Sequence, residues 1–193
     1  MKLITITGPS GAGKDTVAHM LSDLSGFEVI CSYTTRPMRK GEVDGREHHF
    51  VNACDVKDEK ILAYTNYGGF EYWTTIDQIK DNAIYVIDEK GLFELMVRHP
   101  ELQVFPVYVD ASERIRLKRG VSQERILRDK MRRSFPENAY ASVIHNDASF
   151  EDLLENIRDL LHSIEISECL NDQSYPSMMN LSVYNKIISC LKL

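Results

Sequence analysis

Near the N-terminus, Gly8-Pro9-Ser10-Gly11-Ala12-Gly13-Lys14 has the spacing G-x-x-x-x-G-K. The segment before it, Leu3 to Thr7, is apolar and β-branched, and reads as a buried strand. Behind it, Val17, Met20, Leu21 and Leu24 recur at i, i+3, i+4 and i+7, which predicts a helix from Lys14 to Leu24. A glycine-rich turn between strand and helix can curl its backbone N–H groups inward. Those groups, with the helix N-terminus behind them, hold phosphate oxygens. Lys14 adds a mobile positive charge for the outer phosphates. Gly8, Ser10, Gly11, Ala12, Gly13, Lys14, Asp15 and Thr16 are thus expected to surround a nucleoside triphosphate such as ATP. Asp15 stands where a serine or threonine usually offers a hydroxyl to Mg²⁺. Two roles are open for it: stabilising the first helical turn through the dipole, or helping to hold Mg²⁺ directly or through water.

A second dense segment runs from Ser32 to Val51. Arg36 and Arg39 lie three residues apart, with Pro37 stiffening the loop between them. Planar guanidiniums bind phosphate in a bidentate way, so this pair is expected to hold a dianionic monophosphate facing the triphosphate.

The order T-T-R-P-M-R-K-G-E-V-D-G-R-E-H-H-F-V over residues 34–51, joined to the phosphate loop, resembles guanylate kinase. The resemblance reaches to about residue 163. It implies that Ser32, Arg36, Arg39, Tyr72, Thr74 and Asp88 contact the acceptor nucleotide, Thr74 and Asp88 at the base. His48 takes the place of a phosphate-contacting tyrosine; imidazole can also donate to phosphate, more strongly when protonated. Trp73 replaces a glycine, and Ala63 falls where the family uses a glutamate to accept guanine N–H groups. Glu59 and Glu71 are the nearby carboxylates that could take its place. The resemblance implies Mg-ATP as donor, GMP or dGMP as acceptor, and ADP and (d)GDP as products. Two alternatives stay open: another acceptor ((d)NMP or ribose 1,5-bisphosphate, whose kinase can carry the Gly13-Lys14-Asp15 step), and a non-catalytic guanylate-kinase-like interaction domain.

Between Glu113 and Arg133 lie Arg114, Arg116, Lys118, Arg119, Arg125, Arg128, Lys130, Arg132 and Arg133, opposed only by Glu113, Glu124 and Asp129. In a chain of net charge −6 this reversal points to a lid that brings arginines to the charge spread during phosphoryl transfer and shuts out water. By resemblance Arg119 opens the lid, and Arg128 supplies its second arginine, with Arg132 in reserve. Asn146, after the last strand, matches an asparagine near the adenine of ATP.

The elements that must position these groups read as alternating strands and helices. Strands are expected at Phe27–Cys31, His48–Val51, Ala83–Ile87, Gln103–Val109 and Ser142–Ile144, and helices at 89–98, 112–133 and Phe150–Ile164, with a hairpin-like insertion over 61–75. The alternation predicts an α/β fold with a mainly parallel sheet, and the resemblance implies its three-layer phosphate-loop kinase form. Its expected divisions are a kinase-like domain over 1–164, an acceptor-binding insertion at about 33–80, a lid at about 114–133, and a C-terminal extension over 165–193 carrying a further helix. The 193 residues, 43% hydrophobic and 27% charged, suit one soluble domain, and the acidic balance argues against nucleic acid as a partner. No signal peptide or membrane span is read, and Cys31, Cys54, Cys169 and Cys190 lack metal spacing, so reduced thiols and a cytoplasmic monomer or homodimer are expected.

Overall fold

In a computed structural model, residues 2–46, 48–80, 82–131 and 135–171 are described, with side chains as far as residue 165. The strands are β1 (Lys2–Thr7), β2 (Glu28–Val29), β3 (Tyr33–Thr34), β4 (His49–Phe50), β5 (Ile61–Tyr67), β6 (Phe70–Thr75), β7 (Asn82–Val86), β8 (Gln103–Asp110) and β9 (Ser142–His145). The helices are α1 (Lys14–Ser25), α2 (Glu89–Arg98), α3 (Glu113–Lys118), α4 (Gln123–Lys130) and α5 (Phe150–Asn171).

The main sheet has the order β2-β7-β1-β8-β9, and every pairing in it is parallel. Parallel sheets are covered on both faces, and side-chain alternation explains how. Ile4 and Ile6 of β1 face one way, into a core with Val17, Ala18 and Leu21 of α1 and Leu153, Ile157 and Leu160 of α5. Leu3 faces the other way, with Tyr85 of β7 and Leu92, Leu95 and Met96 of α2. Helix, sheet and helix form three layers. The strand ends that precede Gly8, Asp88, Ala111 and Asn146 lie along one edge, where ligands bind in open α/β sheets.

A second, four-stranded sheet, β4-β3-β6-β5, is built from residues 33–75. Its pairings Thr34↔Tyr72, Thr34↔Phe50, Thr65↔Tyr72 and Ala63↔Thr74 define one face. Tyr33, His49, Trp73 and Tyr64 lie on the reverse face.

The strands expected at Phe27–Cys31 and His48–Val51 shorten to β2 and β4, and two helical boundaries differ more. Residues 112–133 do not form one helix: α3 ends at Lys118, and Gly120 turns with φ 83°, a conformation glycine takes without steric cost, before Ser122 caps α4. Helix α5 runs seven residues past Ile164, to Asn171. Arg132, Arg133, Cys190 and the helix expected beyond Pro176 lie outside the described residues. Among the described residues, Cys31 and Cys54 are not joined in disulfides and no helix is long and apolar enough to cross a membrane.

Candidate active site

The phosphate loop is set by its glycines. Gly8, Gly11 and Gly13 all have positive φ. A Cβ on Gly13 would run into the Asn146 side chain, and one on Gly11 into Val121 beyond the turn at Gly120. These positions therefore require both the backbone freedom and the missing side chain. Lys14 curls back over the loop, its Nζ donating to the carbonyl oxygens of Gly8 (3.0 Å) and Pro9 (3.1 Å).

Asn146 and Arg119 brace the loop from behind. Asn146 is buried; its Nδ2 donates to Ala12 O at 2.7 Å, and its backbone N–H donates to Asp110 O. Arg119 donates to the carbonyls of Gly11 (3.0 Å), Ala12 (3.2 Å) and Asn146 (2.9 Å). The Gly11 and Ala12 carbonyls are thus held by side chains from the end of α3 and the turn after β9. Asp15 and Thr16 are exposed in the first turn of α1.

Ser32, His48, Tyr72 and Arg36 come together. Ser32 Oγ and His48 Nδ1 share a 2.7 Å hydrogen bond, and the His48 ring meets Tyr72 edge-on at 5.7 Å. Burial, then the charge of Arg36, pushes the His48 pKa below its ordinary 6.5; the carboxylates of Glu42 and Asp15 oppose the shift without reversing it. With no nucleotide bound, the imidazole is therefore mostly neutral at physiological pH. Its depressed value means that the stability it contributes is present above 6.5 and is lost as pH falls through the folded value. We expect the ratio of wild-type to His48→Gln kcat/KM for the acceptor to stay flat from about pH 7 to about pH 9 and to change only below 6.5, read from initial rates. A step centred between pH 7 and 8 would contradict the assignment.

The two arginines of the acceptor loop play different parts. Arg36 is buried, and its guanidinium grips Glu42 in a fork, Nη1–Oε2 and Nη2–Oε1 both 2.9 Å, while Nη1 also donates to Pro37 O. Its Cζ lies 5.4 Å from the centre of the Phe50 ring. Burial alone would raise the Glu42 carboxyl pKa, but the Arg36 hydrogen bonds, the Arg39 backbone N–H (2.6 Å) and both guanidinium charges hold it below its ordinary value. Arg39 is the exposed member of the pair, 56% accessible, with its guanidinium Nη1 3.9 Å from Glu42 Oε1. Burial and the like charges of Arg36 and Arg125 push its pKa down. An arginine does not shed its proton under such pressure, so positive charge accumulates there, where an anion would relieve it. Of the two guanidiniums, Arg39 is the exposed one, and Arg36 is engaged by Glu42.

Thr74 is fully buried beside the Tyr85 phenol, whose pKa burial raises. Asp88 caps α2, accepting the Gly91 N–H at 2.8 Å. Ala63, fully buried, pairs with Thr74 on the same face. Glu71 cannot replace the missing glutamate: strand alternation turns it to the reverse face, where it accepts from Tyr64 OH at 2.7 Å. Glu59 is exposed on a short 3₁₀ turn. Trp73 also points to the reverse face, stacked on Tyr33 at 5.6 Å beside a cavity of about 490 Å³, so its bulk does not enter the acceptor face.

The segment α3–α4 lies over the loop. Arg128 stacks on the Tyr67 ring at 4.7 Å, reaching the β5–β6 hairpin, and the charge of Arg125 is felt at Arg39. Arg116, counted in the basic run but not singled out there, is buried, with Gly11 as its neighbour. Asp129, which sequence reading took only as an opposing charge, accepts from Ser10 N–H at 2.7 Å.

Comparison with known proteins decides the family. The guanylate kinase family model matches residues 1–164. The chain belongs to the guanylate kinase family. It is 31% identical to a guanylate kinase of Maricaulis maris, with 83% of this chain and 82% of that one covered. It is 29% identical to one from Clostridium acetobutylicum (86% and 85%) and 28% identical to one from Bacillus subtilis (87% and 89%). The crystal structure of guanylate kinase from Anaplasma phagocytophilum shares the fold, with a TM-score of 0.61 at 24% identity, covering 84% of this chain and 85% of that one. Within this family fold, the sheet of residues 33–75 and the segment α3–α4 face each other across the phosphate loop.

Proposed function

We propose that this member of the guanylate kinase family transfers the γ-phosphoryl group of ATP to the phosphate of GMP or dGMP. What carries the reading is the exposed Arg39, near Arg36 on the acceptor segment, together with α4, which touches both substrate regions through Arg128 on Tyr67 and Asp129 on Ser10. A guanidinium cluster of that kind suits a monophosphate, and the loop suits a triphosphate. We assign residues 33–80 to acceptor binding, 114–133 to the lid, and 165–193 to an extension outside the catalytic core.

An acceptor phosphate is already anionic near neutrality, so no strong general base is required. Catalysis then comes from alignment and charge neutralisation. The loop amides and Lys14 hold the donor. Arg39 holds the acceptor phosphate, with Ser32, His48 and Tyr72 beside it. Arg36 fixes the loop through Glu42 and adds its field. Lid arginines, Arg128 among them, exclude water and meet developing charge, while Arg119 and Asn146 keep the loop in shape. Thr74 and Asp88 are assigned to the base.

The exposed Asp15, with Thr16 beside it, suits Mg²⁺. A Mg²⁺ ion held by one or two protein oxygens takes its other ligands from water and substrate phosphates. Bound there, Mg²⁺ would neutralise charge on the outer phosphates.

The test is ADP release from Mg-ATP with GMP, dGMP, AMP, CMP, UMP and ribose 1,5-bisphosphate. GMP and dGMP should give the highest kcat/KM. A higher value for ribose 1,5-bisphosphate, or no transfer to any acceptor, overturns the proposal.

A further inference from the structure

Asp129 is an acid in the last turn of α4, between Arg128 and Lys130, and its placement is specific. Its side chain is 4% exposed. Oδ2 accepts from the Ser10 backbone N–H at 2.7 Å and from Arg116 Nη1 at 3.3 Å, while Oδ1 accepts from Ser10 Oγ at 3.2 Å. Three segments, the phosphate loop, α3 and α4, therefore meet at one carboxylate. Ser10 is itself buried. Arg116 Nε is buried as well, without an acceptor among the described residues.

A bare carboxylate beside a loop built for phosphate would oppose the donor's charge. Paired with Arg116 it adds almost no net charge, so the pair can dock the lid without repelling a triphosphate. The helix geometry extends the argument. Arg125, Arg128 and Asp129 stand at i, i+3 and i+4, on one face of α4. Arg128 reaches Tyr67 on the acceptor hairpin, and Asp129 reaches Ser10 on the donor loop. That face therefore bridges the two substrate regions.

We propose that Asp129 is a positioning residue for phosphoryl transfer, one that latches α4 onto the phosphate loop through Ser10 and fixes Arg116 beside it. The proposal rests on the phosphoryl-transfer reading above for its kinetic consequence and on the contacts alone for its structural one.

The decisive variant is Asp129→Asn, which keeps the shape and removes the charge. With Mg-ATP and GMP, kcat should fall about tenfold or more, with the KM for ATP changed less than about threefold. The share of ADP formed without acceptor should rise, because a loosened lid admits water. Asp129→Glu should recover more kcat than Asp129→Asn does. Combining Asp129→Asn with Arg116→Gln should cost no more than the worse single change, since both break one pair. In the nucleotide-free enzyme, amide hydrogen exchange at Ser10 and across 123–130 should quicken in Asp129→Asn, a readout that needs no turnover. Unchanged exchange overturns the latch even if the enzyme takes a different acceptor. A kcat within twofold of wild type overturns the positioning role. Tighter ATP binding with equal or faster turnover also overturns it, since the carboxylate would then be competing with the donor.

Discussion

Lys14→Ala should lower kcat for ATP and GMP at least about 100-fold. The side chain is already placed to meet the donor. Its Nζ lies over the loop, held by the Gly8 and Pro9 carbonyls, and needs only to exchange those acceptors for phosphate oxygens. Because Lys14 is only partly buried, its removal should leave the fold intact, and thermal unfolding should stay close to wild type. Rapid-quench measurement of a single turnover separates the chemical step from product release. A variant that turned over at more than a tenth of the wild-type rate would remove the loop lysine from the mechanism.

Arg39→Ala should cost about 100-fold in kcat/KM for the acceptor while the KM for ATP stays within about threefold. Its neighbour should fail differently. Arg36→Ala takes away a fork that occupies both oxygens of Glu42, a carboxylate only 17% exposed. With Glu42 left only its Arg39 contacts, this should cost about 1–3 kcal/mol of stability, seen as a lowered urea midpoint at unchanged slope. The pair also sets an acid limit. The folded Glu42 pKa is depressed below 4.5, so its contribution to stability is complete above that value and disappears as pH falls through the folded one. Equal kinetic losses with equal stability for the two arginine variants would mean that both grip phosphate and that the scaffold role is wrong.

What the sequence disclosed, and what it hid, follows from how local each signal is. The phosphate loop was legible because strand, glycines, lysine and helix all lie within some twenty residues, each dictated by local backbone geometry. The parallel sheet was read from strands alternating with helices, whereas the facing of Leu3 and Ile4 into different cores emerged from the structure. Arg36 and Arg39 were found by type and spacing, but spacing could not tell which one Glu42 would claim. That depends on a turn at Pro37–Glu42 that brings residues 36 and 42 together. The break at Gly120 could have been weighed from the glycine itself, since a helix interior disfavours it. Asp129 could not be placed, because its partner Ser10 is 119 residues away. Glu71 shows the opposite case: strand parity alone, applied to β6 from Tyr72 and Thr74, would have assigned it to the reverse face.

The central claim is that donor and acceptor phosphates meet in one cleft, the first in the loop and the second at Arg39. The most direct measurement is calorimetric binding of a bisubstrate ligand, adenosine and guanosine joined through a five-phosphate chain. Wild type should bind it at least about 100-fold more tightly than ATP or GMP alone, and Arg39→Ala should lose most of that gain. Affinity no greater than that for ATP would show that the two sites are not end to end, and would contradict the account.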